Sequence, residues 1–187
     1  MKGTAWCKVS VLMLAAGVFA QGCATHIRQP AGSPQPTKVK FGESKDVQLL
    51  HVSLAPASAK SGANKKAAKK INELLVSNMR QVFPNVQVLE TAGTSASAAR
   101  TLLIEPQIEE IKFVGGMARF WWGAMSGSSA VLMKVTYKDL GTGDILTAPE
   151  FYRSANAMGG AYSMGVSDNA MLDSIVQDVC NYTKLNQ

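Results

Sequence analysis

The chain has 187 residues, 47% of them hydrophobic and 17% charged, with a formal net charge of +6 and only three cysteines. That length holds one domain with a substantial core, and so few cysteines exclude a disulfide-stapled framework. A balance this mildly basic gives no electrostatic footprint for nucleic acid.

At the start of the chain, Lys2 and Lys8 form a short positive head, and "VSVLMLAAGVFA" is an apolar run that ends in small residues ahead of Cys23. The run is shorter than the ~20 apolar residues that a spanning helix needs, so residues 1–22 read as a signal peptide. Its removal takes two lysines and no acid, which lowers the net charge to +4. Ala20, Gln21 and Gly22 before Cys23 resemble the lipobox of bacterial lipoproteins, in which the cysteine sulfur takes a diacylglyceryl group. The resemblance implies lipidation of Cys23. Several acyl chains, at about 0.8 kcal/mol per buried methylene, make such attachment effectively permanent. Ala24, where an inner-membrane lipoprotein would carry Asp, implies an outer-membrane address with the body facing the periplasm.

Residues 23–45 hold Pro30, Pro34 and Pro36 among few apolar residues, the composition of a lipidated N-terminus and flexible Pro-rich tether. Residues 46–187 form the expected domain. "VQLLHVSL" (47–54) reads as one strand covered on both faces. In "NKKAAKKINELLVSNMRQVF" the residues Ala67, Ile71, Leu74, Leu75, Met79, Val82 and Phe83 recur at three- and four-residue steps, one apolar helix stripe that Pro84 stops. "VQVLE" (86–90) follows as a strand parallel to the first.

"TLLIEPQIEEIKFV" (101–114) changes parity between Ile108 and Ile111, which predicts a bulge near Glu109 and Glu110. "AVLMKVTYKDL" (130–140) alternates as a half-solvated antiparallel strand, "GTGD" (141–144) is a turn, and "ILTAPEFYRSANA" returns as a further strand. The last helix begins near Ser167 or Asp168, with Leu172, Ile175, Val176, Val179 and Cys180 as its stripe. The sum is an α/β (α+β) chain: a single two-layer domain with a mixed, mostly antiparallel sheet of about five strands and two helices on one side.

Chemistry is sparse in this sequence. "AYSMG" places Ser163 ahead of a helix, but the first glycine of a nucleophile elbow is missing and both histidines, His26 and His51, lie upstream. His51 on an apolar strand reads as a core residue. Glu109 and Glu110 point to opposite faces of a regular strand and form no dyad. Met158, Met164 and Met171 match no compact metal cluster, and Cys180 behaves as a small hydrophobe. Lys65, Lys66, Lys69 and Lys70 crowd the first turns of a helix; a solvated face accounts for them, and an anionic partner is the alternative. No enzyme and no cofactor are expected.

The lipobox, the central helix, "ARFWWGAMSGSSA", "VTYKDLGTGDIL", "YRSANAMGGAYSMGVSD" and the closing helix together resemble a family of bacterial outer-membrane lipoproteins with a domain of unknown function, over roughly residues 45–184. That family is similar in layout to the curli-secretion and Pel exopolysaccharide lipoproteins. The resemblance implies ring-forming envelope components whose aromatic residues between strands meet membrane or neighbouring subunits. This chain has no long amphipathic hairpin with which to build a pore.

Arg119, Phe120, Trp121 and Trp122 therefore stand as the candidate membrane or partner contact, in a connection longer than an ordinary hairpin loop. Packing of Phe120 and one tryptophan over the sheet end is the plainer reading. The expected function is that of a non-catalytic accessory or assembly component of the envelope, with membrane lipid, a second copy or an envelope protein as partner. The alternative is a periplasmic module that holds a sugar or apolar ligand in the aromatic loop.

Overall fold

Strands β4 (Thr101–Lys112) and β5 (Ala130–Asp139) form the spine of the sheet, antiparallel from Leu102 opposite Asp139 to Lys112 opposite Ala130. The computed structural model of the chain describes residues 27–41, 44, 46–93, 100–114, 128–155 and 166–187. Its register shifts between Ile108 and Glu110, so the parity slip in the sequence is a bulge. Beyond β4 lie β1 (Asp46–Leu50) and then β3 (Asn85–Leu89), both parallel to it, and α1 (Gly62–Val82) connects β1 to β3.

Among the described residues seven strands form this mixed sheet where about five were expected, because two apparent single strands are each broken. "VQLLHVSL" divides into β1 and β2 (Ser53–Leu54). Leu49 pairs with Ile104 but Ser53 pairs with Gln107, so the chain slips by one residue at His51 and Val52. Asn72 of α1 accepts the Val52 N–H that the slip frees, at 3.1 Å. Likewise "ILTAPEFYRS" divides into β6 (Ile145–Thr147) and β7 (Glu150–Ser154), both beside β5. Pro149 has no N–H for the ladder, and its carbonyl accepts the Val135 N–H at 3.0 Å.

Both helices pack on one face of the sheet and against each other. Ala67, Ile71, Leu75 and Met79 of α1 meet Val47, Leu49, Leu102 and Ile104, and Ile175, Val176 and Val179 of α2 (Val166–Leu185) complete the core with Val131, Met133, Val135 and Tyr137. Leu74 and Val82 are only half buried at the margin of the stripe. Phe83, held extended before Pro84, ends α1 while its N–H still bonds Met79 O. Alternation on β5 holds from Met133 onward, whereas Leu132 is buried on the far face. β1 is indeed covered on its second face, where Gln48 accepts the Gly93 N–H at 2.9 Å.

Residues 27–41, read from composition as a tether, lie against the domain. Phe41 is 1% exposed and stacks on Tyr137 with ring centroids 4.8 Å apart and planes at 16°. Its N–H bonds Asn186 O, the Thr37 N–H bonds Asn186 Oδ1 at 2.9 Å, and Lys40 Nζ reaches Leu185 O at 2.9 Å. Few apolar residues in the segment meant little burial, but one aromatic ring placed in the core, with the hydrogen bonds to Leu185 and Asn186, fastens its C-terminal part.

Candidate functional site

The residues singled out in the sequence, Cys23 and the group Arg119, Phe120, Trp121 and Trp122, lie outside the described residues, as do His26, Met158, Ser163 and Met164. What the structure gives is the base of the β4–β5 connection and its surroundings. The Val114 N–H donates to Ser129 Oγ at 3.0 Å, both residues buried, and the Ala155 N–H bonds Ser129 O at 2.8 Å. Connection base and β7 end are thereby joined.

Beside this base the N-terminal strap makes its first tie. Arg28 grips Glu150 with both guanidinium nitrogens, Nη1 to Oε2 at 2.8 Å and Nη2 to Oε1 at 2.6 Å, and reaches Glu109 Oε2 at 3.2 Å. The Arg28 main-chain N–H donates to Glu110 Oε2 at 3.2 Å. The bulge lets two consecutive carboxylates turn to one arginine, an arrangement that a regular strand would forbid. The hydrogen bond from Arg28 holds the Glu150 carboxyl below its ordinary range; burial opposes this, and the charges of Arg28 and Lys134 add to it. No local pattern links position 28 to 109 and 150, so the sequence carried no sign of this cluster.

Between the strap and the β7–α2 edge is a cleft of about 400 Å³, with Gln29–Pro34 on one wall and Tyr152, Arg153, Asp178, Asn181 and Tyr182 on the other. Arg153 and Asp178 form a two-pronged ion pair on that second wall, which raises the Arg153 pKa. The walls mix aromatic faces with a neutralised ion pair and offer no nucleophile next to a base.

Elsewhere the expected residues fall as follows. His51 is exposed past the end of β1, with Nε2 3.5 Å from Glu90 Oε1, and not in the core as its apolar neighbours suggested. The one-residue slip after Leu50 turns it outward. Met171 and Cys180 are buried, and burial pushes the Cys180 thiol up to about 12. Lys65, Lys66, Lys69 and Lys70 are all exposed. Among the described residues no group of three or more His, Cys, Asp or Glu side chains is placed to hold a metal ion, and no helix is long and apolar enough to cross a membrane.

No family model matches the chain, and no curated protein matches it in sequence. Solved structures do resemble it. PelC from Paraburkholderia phytofirmans, a dodecamer, is 14% identical over 81% of this chain and 94% of its own, with a TM-score of 0.48. The hypothetical protein CT253 from Chlamydia trachomatis is 12% identical over 76% of this chain and 100% of its own, with a TM-score of 0.47. Protein XCC0632 of Xanthomonas campestris, of family DUF330, is 6% identical over 82% of this chain and 94% of its own, with a TM-score of 0.44.

Proposed function

We propose that this chain is a non-catalytic accessory lipoprotein, acylated on Cys23, that works at the outer membrane through protein–protein contacts. The observation that carries the reading is the leader: a basic head, a short apolar run, and small residues ending directly on Gly22-Cys23, followed by Ala24. The geometry is compatible with a contact role. β3 on one side and β6 with β7 on the other have a strand neighbour on one side only among the described residues, and open edges are templates for pairing. The cleft under the strap, with Tyr152 and Tyr182 in its wall, favours a second reading, a module that holds a small ligand.

Intact mass and cross-linking of the membrane-extracted protein test both. An acylated chain beginning at Cys23, cross-linked to itself or to an envelope protein and losing that product on Trp121→Ala with Trp122→Ala, supports the first reading. An unmodified chain beginning at Met1 overturns it. Ligand-dependent quenching of tryptophan fluorescence in an uncross-linked monomer selects the second.

A further inference from the structure

We propose that the outer face of α1, where Lys65, Lys66, Lys69 and Lys70 stand, docks on the phosphate groups of an anionic lipid bilayer. This contact is separate from acylation of Cys23 and does not depend on it.

Charge is spread unevenly over the chain. α1 holds these four lysines and Arg80 against the single acid Glu73, a net +4, which is the whole net charge of residues 23–187; outside the helix twelve basic and twelve acidic side chains cancel. Pairing follows the same division. Arg28, Arg100, Lys138 and Arg153 each meet a carboxylate, whereas the ammonium groups of the four lysines, all on exposed residues, form neither an ion pair nor a hydrogen bond among the described residues.

The fold concentrates this charge. Lys65 and Lys69 are one turn apart, as are Lys66 and Lys70, so two rows run side by side along the helix. Lys65 and Lys69 border a shallow groove toward His51 and Glu90, and Lys66 and Lys70 border another toward Phe113 and Asp168. Ala63 and Asp168 line that second groove together, so α1 and α2 begin side by side and bring the positive ends of their dipoles to one place. Asp168 answers the dipole on α2, but the first turn of α1 has no acid and Ser61 gives it no side-chain cap. The lysines therefore stand against local preference, since like charges four residues apart repel and the dipole adds to the repulsion. An external anion relieves both.

Side-chain chemistry selects the partner. A protein interface is built on an apolar or aromatic centre and is poor in lysine, and the exposed large hydrophobic side chains among the described residues, Val39, Ile145 and Leu185, are not on α1. Single-stranded nucleic acid takes aromatic platforms, and α1 has no aromatic residue. Lysine is a point charge on a flexible stem, without the fork by which arginine fixes one ligand. A bilayer suits such groups because its phosphates move laterally to meet them. Each lysine near an anionic surface adds about fivefold to affinity, so four give roughly several hundredfold.

The full chain purified from membranes is mixed with vesicles of phosphatidylcholine alone or with phosphatidylglycerol added. Exposed lysines are then acetylated briefly and read residue by residue by mass spectrometry. Lys38 and Lys184, exposed in the strap and in the last turn of α2, serve as internal references. With phosphatidylglycerol, modification of Lys65, Lys66, Lys69 and Lys70 should slow severalfold relative to the references, and salt of about 0.5 M should erase the difference. Lys66→Gln with Lys70→Gln should expose Lys65 and Lys69 again while the melting curve stays at or above that of wild type, and Lys66→Arg with Lys70→Arg should keep the protection. Equal rates on both vesicle types, or protection that survives the two Gln substitutions, overturns the proposal. Protection by soluble alginate or by inorganic phosphate, with none by anionic vesicles, overturns it in favour of a free anion. An acyl anchor holds the chain on both vesicle types alike, so failure of the Cys23 reading leaves this difference untouched and the two failures are distinct.

Discussion

Tyr137 donates its phenolic hydrogen to Thr183. The two hydroxyl oxygens are 2.7 Å apart and fully buried, and the hydrogen of Thr183 is already committed to Val179 O at 2.7 Å, so Tyr137 must be the donor. The asymmetry makes the two truncations unequal. Tyr137→Phe removes a donor and leaves every remaining hydrogen satisfied, at a cost of about 1 kcal/mol. Thr183→Val strands the phenol in the core and should cost about 2 kcal/mol. In urea denaturation the double variant should lose less than the sum of the singles.

At the end of β5, Asp139 organises the turn that follows. Its Oδ1 accepts the N–H groups of Gly141 at 2.9 Å and Thr142 at 3.4 Å, and Oδ2 accepts Arg100 Nε. Burial works against the charge, but Arg100 and the two main-chain donors outweigh it and hold the carboxyl below its ordinary value. The stability this gives is present above the unfolded pKa, about 4, and is lost as the pH falls through the depressed folded value. Asp139→Asn should cost about 1–2 kcal/mol at neutral pH, with the gap to wild type narrowing below about pH 4 in denaturation curves. Gly143, at φ 78°, occupies backbone space that disfavours a side chain. Gly143→Ala should cost about 1 kcal/mol.

Phe41 belongs to the folded body although four residues separate it from β1. Removing a ring so fully enclosed leaves a cavity against Tyr137. Phe41→Ala should lower stability by about 3–5 kcal/mol, measured by calorimetry or urea. Substitutions in residues 29–36 should leave the same transition unmoved.

Alkaline pH should unfold the chain through its buried acids. Burial raises Cys180 to about 12 and carries Tyr137 well above the ordinary phenol value, slightly offset there by the Thr183 hydrogen bond. Both stay protonated in the fold after the unfolded chain has begun to ionise, at about pH 8.5 for a thiol. Stability is therefore full below that pH and declines above it. Cys180→Ala should flatten the decline between about pH 9 and 11 without abolishing it, because Tyr137 still contributes above about pH 10.

Local signals in the sequence were strong where one element decides its own fate. Ala67, Ile71, Leu75 and Met79 marked α1 by spacing, and the parity slip at Glu109 marked the bulge. The breaks at His51–Val52 and Pro149 were harder to see, since a one-residue slip keeps an apolar run looking continuous while the ladder reregisters. Arg28 meeting Glu109 and Glu150, and Phe41 meeting Tyr137, are contacts across more than eighty residues. Nothing in the spacing of a polar, proline-bearing stretch announces where one of its rings or charges will dock. The aromatic group Arg119–Trp122 stays as the sequence left it, a candidate contact whose neighbours at the base, Val114 and Ser129, are firmly held.

The sulfur of Cys180 sits inside the α2 stripe with its thiol strongly disfavoured from ionising. Oxidation by air, and attack on the disulfide of oxidised glutathione, both proceed through the thiolate, so the intact body should pass through purification unoxidised. Covalent pairs joined through this sulfur would then signal molecules that had come open, and a non-reducing gel becomes a gauge of sample integrity.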